Sequence, residues 1–264
     1  MFAIERIMVI KKYLKEHNQA DVQSLSSLLG VSEVTIRRDL VKLEKDGFLT
    51  RTHGGAVVNQ HDPPLELKTF SVDNNSESIR QLNEIANIGL RMLQPRDIIM
   101  ITSGETNLAL AQKIHDQLQL TVLTNDLRVA ITVAKTKTNK VVLLGGEVDE
   151  DGISVLGSMA LENLKRYRVK QLFIECDGIN DNLELTFDDQ KKADLISTAL
   201  ELASKKILLC PAFRFGQQSF FSFKDISITD SLITNPALSD DFKNKIVSKN
   251  ISLFTAIDAF ERYV

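Results

Sequence analysis

Leu29-Gly30-Val31-Ser32-Glu33-Val34-Thr35-Ile36-Arg37-Arg38-Asp39-Leu40-Val41-Lys42-Leu43-Glu44 decides how the start of the chain folds. Gly30 readily adopts the positive φ that ends a helix, and Ser32 can cap the next one. On that next helix Ile36, Leu40 and Leu43 share one face. Upstream, a helix fits Val22 to Leu29, burying Val22, Leu25 and either Leu28 or Leu29. Further upstream Ile4, Ile7, Ile10 and Leu14 recur at spacings of three and four, the stripe of another amphipathic helix. Two helices joined through a short turn containing glycine form the helix-turn-helix plan.

The opposite face of the third helix carries Ser32, Glu33, Thr35, Arg37, Arg38, Lys42 and Lys45. Hydroxyls and cations near a helix start can reach phosphates and base edges in a major groove. Beyond Gly47, Phe48–Arg51 and Ala56–Val58 flank His53-Gly54-Gly55, a hairpin signal. Such a hairpin makes a wing, from which Arg51 and His53 can touch phosphate or the minor groove. A charged helix face alone is ordinarily a solvated one. Turn, cap and wing together point to double-stranded DNA as a partner.

Val31–Glu44, followed by Leu49-Thr50-Arg51-Thr52-His53-Gly54-Gly55-Ala56, closely resembles the DNA-binding signature of DeoR-family bacterial repressors. The resemblance implies a winged helix-turn-helix at the N-terminus and a sugar-sensing domain behind it.

Asn59-Gln60-His61-Asp62-Pro63-Pro64 lacks apolar periodicity, and its prolines oppose regular hydrogen bonding. The expected organisation is a DNA-binding domain over 1–58, a linker over 59–75, and a sensing and oligomerisation domain over 76–264. Residues 1–58 hold nine Lys/Arg against seven Asp/Glu, a bias too small to argue for nucleic acid without the placement of those cations. Hydrophobic residues at 43% and charged residues at 25% suit a globular protein and exclude a disordered or collagenous chain. No apolar run approaches the ~20 residues of a membrane helix. Charges inside the first apolar pattern argue against a signal peptide. Cys176 and Cys210 each end an apolar run, as reduced buried thiols do, and the cytoplasm is the expected location.

Past residue 76, short apolar runs alternate with helical patterns. Strands are expected at Ile98–Thr102, Leu120–Thr124, Lys140–Leu144, Gln171–Glu175, Lys206–Cys210, Ser231–Ile233 and Ile251–Phe254. Helices are expected at Ile79–Leu93, Asn107–Leu118, Arg128–Lys135, Met159–Tyr167, Lys191–Ser204 and Ser239–Ser248. The fold class is therefore an α/β domain on a parallel sheet, preceded by a small winged helix-turn-helix domain, with ligands at the C-terminal strand ends. Those ends carry Thr102-Ser103-Gly104-Glu105-Thr106-Asn107, Thr124-Asn125-Asp126, Gly145-Gly146-Glu147, Cys176-Asp177-Gly178 and Phe213-Arg214-Phe215-Gly216. Each alone reads as a turn or cap; their shared position points to one effector pocket.

The same succession looks like the DeoR-family sensor domain, related in fold to ribose-5-phosphate isomerase, which implies a phosphorylated-sugar effector and a homo-oligomer. By that resemblance Ser103, Gly104 and Thr106 hold the phosphate, while Asn125, Gly146 and Asp177 face the sugar. Several positions depart from the family pattern. Thr102 stands where an Asp is usual, and Glu105 where a threonine is usual. Pro211-Ala212-Phe213-Arg214 keeps its cation only as arginine. Ile196-Ser197 replaces a Lys-Arg pair. Glu105 opposes a phosphate, by about 4 kcal/mol per unit charge at ~4 Å and an effective dielectric constant of ~20. Arg214 is expected to offset it, by pairing with Glu105 or by binding the phosphate directly.

An enzyme reading would rest on Glu105, Asp177, Asp181 and Glu184 as acid and base. The isomerase's Lys-Gly-Gly segment is absent, and so are a Walker loop, a GxGxxG and metal-ligand spacing among His17, His53, His61 and His115. No catalytic residue, cofactor or metal is expected. The expected function is a repressor of a carbohydrate-utilisation operon relieved by a phosphorylated sugar or related metabolite. The alternatives are a regulator that has lost its effector, and an isomerase-like enzyme bearing a DNA-binding appendage.

Overall fold

The computed structural model describes residues 3–45, 48–52, 54–58 and 76–256. The chain forms two compact units, Met1–Glu66 and Leu67–Val264. The first contains α1 (Ala3–His17), β1 (Gln19–Asp21), α2 (Val22–Leu29), α3 (Glu33–Lys45), β2 (Leu49–Arg51) and β3 (Gly55–Val58). Asp21 caps α2 by accepting from the Ser24 backbone N–H at 2.7 Å, and Gly30 ends it at φ 62°. Ser32 Oγ accepts from the Thr35 N–H at 3.3 Å, so α3 starts where its cap placed it. Ile10, Leu14, Val22, Leu25, Leu29, Ile36, Leu40 and Leu43 form one core, which selects Leu29 over the exposed Leu28. On the inner side of α3, the buried Asp39 pairs with Arg6 at 2.5 Å.

The wing is present as β2 and β3, but β3 lies between β2 and β1 and pairs antiparallel with both. Three residues are too few for β1 to show alternation in the sequence. Its closeness explains Gly55: a Cβ there would lie 2.1 Å from the Ala20 carbonyl oxygen. The expectations for His53 and for the 59–75 linker lie outside the described residues.

The second unit runs α4 (Ser76–Arg91), β4 (Ile98–Ile101), α5 (Glu105–Ala111), β5 (Thr121–Thr124), α6 (Leu127–Ala134), β6 (Lys140–Leu143), β7 (Glu147–Val148) and β8 (Val155–Leu156). It continues through α7 (Gly157–Leu164), β9 (Val169–Ile174), β10 (Gly178–Ile179), β11 (Glu184–Phe187), α8 (Gln190–Leu200) and β12 (Ala203–Leu209). Last come β13 (Phe221–Asp225), β14 (Ser231–Ile233), α9 (Asp240–Val247) and β15 (Ser252–Phe254). Seven strands make one sheet in the order β15-β14-β12-β9-β4-β5-β6, and every pairing in it is parallel. Alternation along each strand feeds two cores. Ile99, Ile101 and Phe173 pack with Ile85, Leu110 and Val129 on one face; Met100 and Leu172 pack with Ala160, Leu164 and Ile196 on the other.

All seven expected strands are present in the sheet. The helix expected over Asn107–Leu118 is instead α5 and a separate 3-10 turn at Asp116–Leu118. The helix expected to reach Ser204 stops at Leu200, because Ala203 and Lys205 already pair with β9. Two small antiparallel sheets, β7-β8 and β10-β11-β13, were not expected; strands of two to five residues leave little periodic signal. Among the described residues no helix is long and apolar enough to cross a membrane.

The chain passes from β4 outward to β5 and β6, then returns to place β9 on the other side of β4. Thr102 and Glu175, just beyond these two strands, therefore flank a topological switch point, where a crevice opens in doubly wound sheets.

Candidate functional site

The outer face of α3 presents exposed Ser32, Arg37, Arg38 and Lys42, with Glu33 and Thr35 half-buried beside them. Arg37 is held by Glu33 one turn earlier at 2.8 Å, and Arg51 on β2 by Glu44 at 2.7 Å. Arg38 and Lys42 make no ion pair among the described residues. Val34, 72% exposed at the start of α3, was not singled out in the sequence. An exposed β-branched side chain among polar ones is the available signal, and a thymine methyl is what it can contact.

At the switch point of the second unit lies a cleft of about 710 Å³. Ser103, Gly104, Glu105, Asn125, Asp177 and Arg214, all expected at the pocket, line it. Ile153, Leu156, Phe187, Leu195 and Ile196 supply apolar wall, and Ser154, Lys192, Gln217, Gln218 and Ser219 add polar groups. Much of this second set comes from β8, α8 and the β12–β13 connection, elements that sequence reading had not joined to the pocket.

Six expected residues stand outside the lining. Thr106, Asn107 and Thr124 are fully buried. Asn107 Nδ2 donates to the Thr102 carbonyl at 3.0 Å, and Thr124 Oγ1 accepts from the Asp126 N–H at 3.0 Å, so both hold loops in place. The three glycines serve packing or turns. A Cβ on Gly146 would sit 3.1 Å from Ala160, and one on Gly178 would sit 2.5 Å from the Gln217 carbonyl. Gly145 donates its N–H to Asn163 Oδ1 at 3.2 Å.

The charges pair differently from the expectation for Arg214. Glu105 is held by Arg128 at 2.5 Å, and Arg128 also contacts Asp126 at 3.0 Å. Arg214 instead pairs with Glu175 at 3.1 Å, approaches Asp177 at 3.8 Å and donates to the Cys176 carbonyl. Chain direction explains the exchange: Arg128 starts the helix after β5, next to the β4–α5 loop, whereas Arg214 follows β12 and sits beside the end of β9.

Glu175, expected only as the end of a strand, belongs to the site. Its Oε2 accepts from the backbone N–H groups of Thr106 at 2.8 Å and Asn107 at 3.2 Å. Burial pushes its carboxyl above the ordinary carboxylate range; the Arg214 guanidinium and those N–H groups oppose the shift without reversing it. Gly104, at φ 151°, gives the carboxylate room, since a Cβ there would lie 2.3 Å from Glu175 Oε2. A charged residue closing an apolar run at a C-terminal strand end was the signal available in the sequence. Cys176 and Cys210, beside it, are buried free thiols.

Two family models cover most of the chain: a DeoR-like helix-turn-helix domain over residues 6–62 and a DeoR C terminal sensor domain over 77–236. The lactose phosphotransferase system repressor of Lactococcus lactis subsp. lactis is 34% identical over 236 residues, covering 89% of this chain and 91% of that protein. The HTH-type transcriptional repressor GlcR of Bacillus subtilis (strain 168) is 27% identical, covering 89% of each. A D-ribose-5-phosphate isomerase structure in complex with phospho-erythronic acid overlaps 52% of this chain and 54% of its own, at 10% identity and a TM-score of 0.38. An enzyme reading gains nothing from a partial overlap of that kind. With an exposed cationic face on α3 in one unit, a switch-point cleft in the other and both family models matched in order, the chain belongs to the DeoR family of DNA-binding transcriptional repressors.

Proposed function

We propose that the chain represses genes of carbohydrate use in the cytoplasm, holding an operator through residues 1–58 and releasing it when the cleft takes up a carbohydrate metabolite. Ser32, Glu33, Val34, Thr35, Arg37, Arg38 and Lys42 form the base- and phosphate-reading surface, with Arg51 adding a cation from the wing. The observation that carries this reading is the outer face of α3, where Arg38 stands exposed opposite the buried Ile36-Leu40-Leu43 stripe. A helix so divided has one side committed to its own core and the other free for a groove. The effector is a sugar or sugar phosphate. Residues 76–264 carry the contacts that make a homo-oligomer, because one recognition helix makes few phosphate contacts and paired half-sites multiply them.

The test uses the full chain bound to a duplex selected from a random-sequence pool and challenged with a panel of sugars and sugar phosphates. At least one member should dissociate the complex, and Gln217→Trp, which crowds the cleft from an exposed lining position, should bind the duplex and ignore that member. A complex equally released in the Gln217→Trp variant would place the effector elsewhere.

A further inference from the structure

The turn between β4 and α5 has the form of an anion cradle, but its donors are already engaged. Thr106 and Asn107 donate to Glu175, and Ser103 donates its N–H to Asn125 Oδ1 at 3.0 Å. The space above Gly104, where lack of a Cβ would let a ligand oxygen approach, holds the Glu175 carboxylate. The nearby guanidiniums are committed too: Arg214 to Glu175 and Asp177, Arg128 to Glu105 and Asp126. These two clusters set four carboxylates against two arginines; Lys192 and Asp188 add one charge of each sign to the lining, so acids still outnumber cations, and Ile196 contributes hydrocarbon.

Resting on the effector-controlled reading above, we infer that Glu175 is a built-in anion that closes this cleft to phosphate, so that the effector is a free sugar or polyol. A phosphate entering the turn would meet the carboxylate that holds its donors, in a cleft with more negative than positive groups. Hydroxyl groups meet no such barrier. Glu105 and Asp177 each keep acceptor capacity beyond their ion pairs, and Gln217, Gln218 and Ser219 can donate or accept. The apolar wall of Leu156, Phe187 and Ile196 suits the C–H face of a sugar ring.

The experiment is calorimetric titration of the full chain with inorganic phosphate and with matched pairs: hexoses and hexitols, each with its 6-phosphate. Wild type should bind an uncharged member and leave its phosphate partner and inorganic phosphate unbound. Glu175→Ser frees two N–H groups and leaves Arg214 with Asp177 as its one acidic partner here, and should bind inorganic phosphate at least tenfold more tightly than wild type. Tighter binding of a phosphorylated member by wild type overturns the inference, as does equal phosphate affinity in wild type and Glu175→Ser. Should the variant fail to fold, the wild-type pairs decide alone. Pairs that bind in neither form overturn the polyol assignment, while duplex binding by the same sample reports separately on the repressor reading.

Discussion

Arg128 and Arg214 each stand between two carboxylates, and what they hold differs. Arg128 is only 7% exposed, and its loss leaves the buried Asp126 and the half-buried Glu105 without their shared cation. Breaking a buried pair from one side costs on the order of 3 kcal/mol. Arg128→Met should therefore lower the unfolding free energy obtained from urea denaturation of the full chain by that order, and an unchanged value would show the cluster to be well solvated. Glu175 behaves oppositely. Its carboxyl titrates higher in the folded than in the unfolded chain, so the folded state binds the extra proton. Stability then falls as pH rises from the ordinary carboxylate range through the raised value, and is fully lowered above it. Urea midpoints of wild type and Glu175→Gln, measured across that range, should diverge in this direction; parallel curves would contradict it.

At the scale of elements, the close approach of β1 to β3 fixes Gly55. Gly55→Ala forces its methyl group toward the Ala20 carbonyl, and should cost about 1–3 kcal/mol, as overpacking of tight sites does. A thermal melt followed by far-UV circular dichroism checks it. The elements that the sequence disclosed were those with a repeating signal: the Ile36-Leu40-Leu43 stripe, the caps at Ser32 and Gly30, and the continuous apolar strands of the parallel sheet. β1 was hidden because three residues carry no period. The cleft was half legible. Ser103, Gly104, Glu105, Asn125, Asp177 and Arg214 follow from strand-end position, which the sequence discloses. Which arginine meets which acid depends on strand order, and β9 returning beside β4 is a tertiary fact that no local pattern encodes. The same return brings Glu175 to the α5 turn across nearly seventy residues of chain.

For the whole molecule, operator binding requires an assembly that presents two recognition helices to one duplex. Light scattering should give a mass at least twice the 29.6 kDa of one chain, and a monomer at the concentrations that bind DNA would contradict paired half-sites. Whether α3 reads the operator is decided by selection from a random-sequence duplex pool, with wild type and Arg38→Ala run side by side at several salt concentrations. Wild type should enrich one sequence with repeated half-sites, its affinity falling as salt rises, and Arg38→Ala should bind that sequence about 1–3 kcal/mol more weakly with its fold unchanged. Enrichment of the same sequence with equal affinity by both proteins would remove α3 from the reading head and contradict the account.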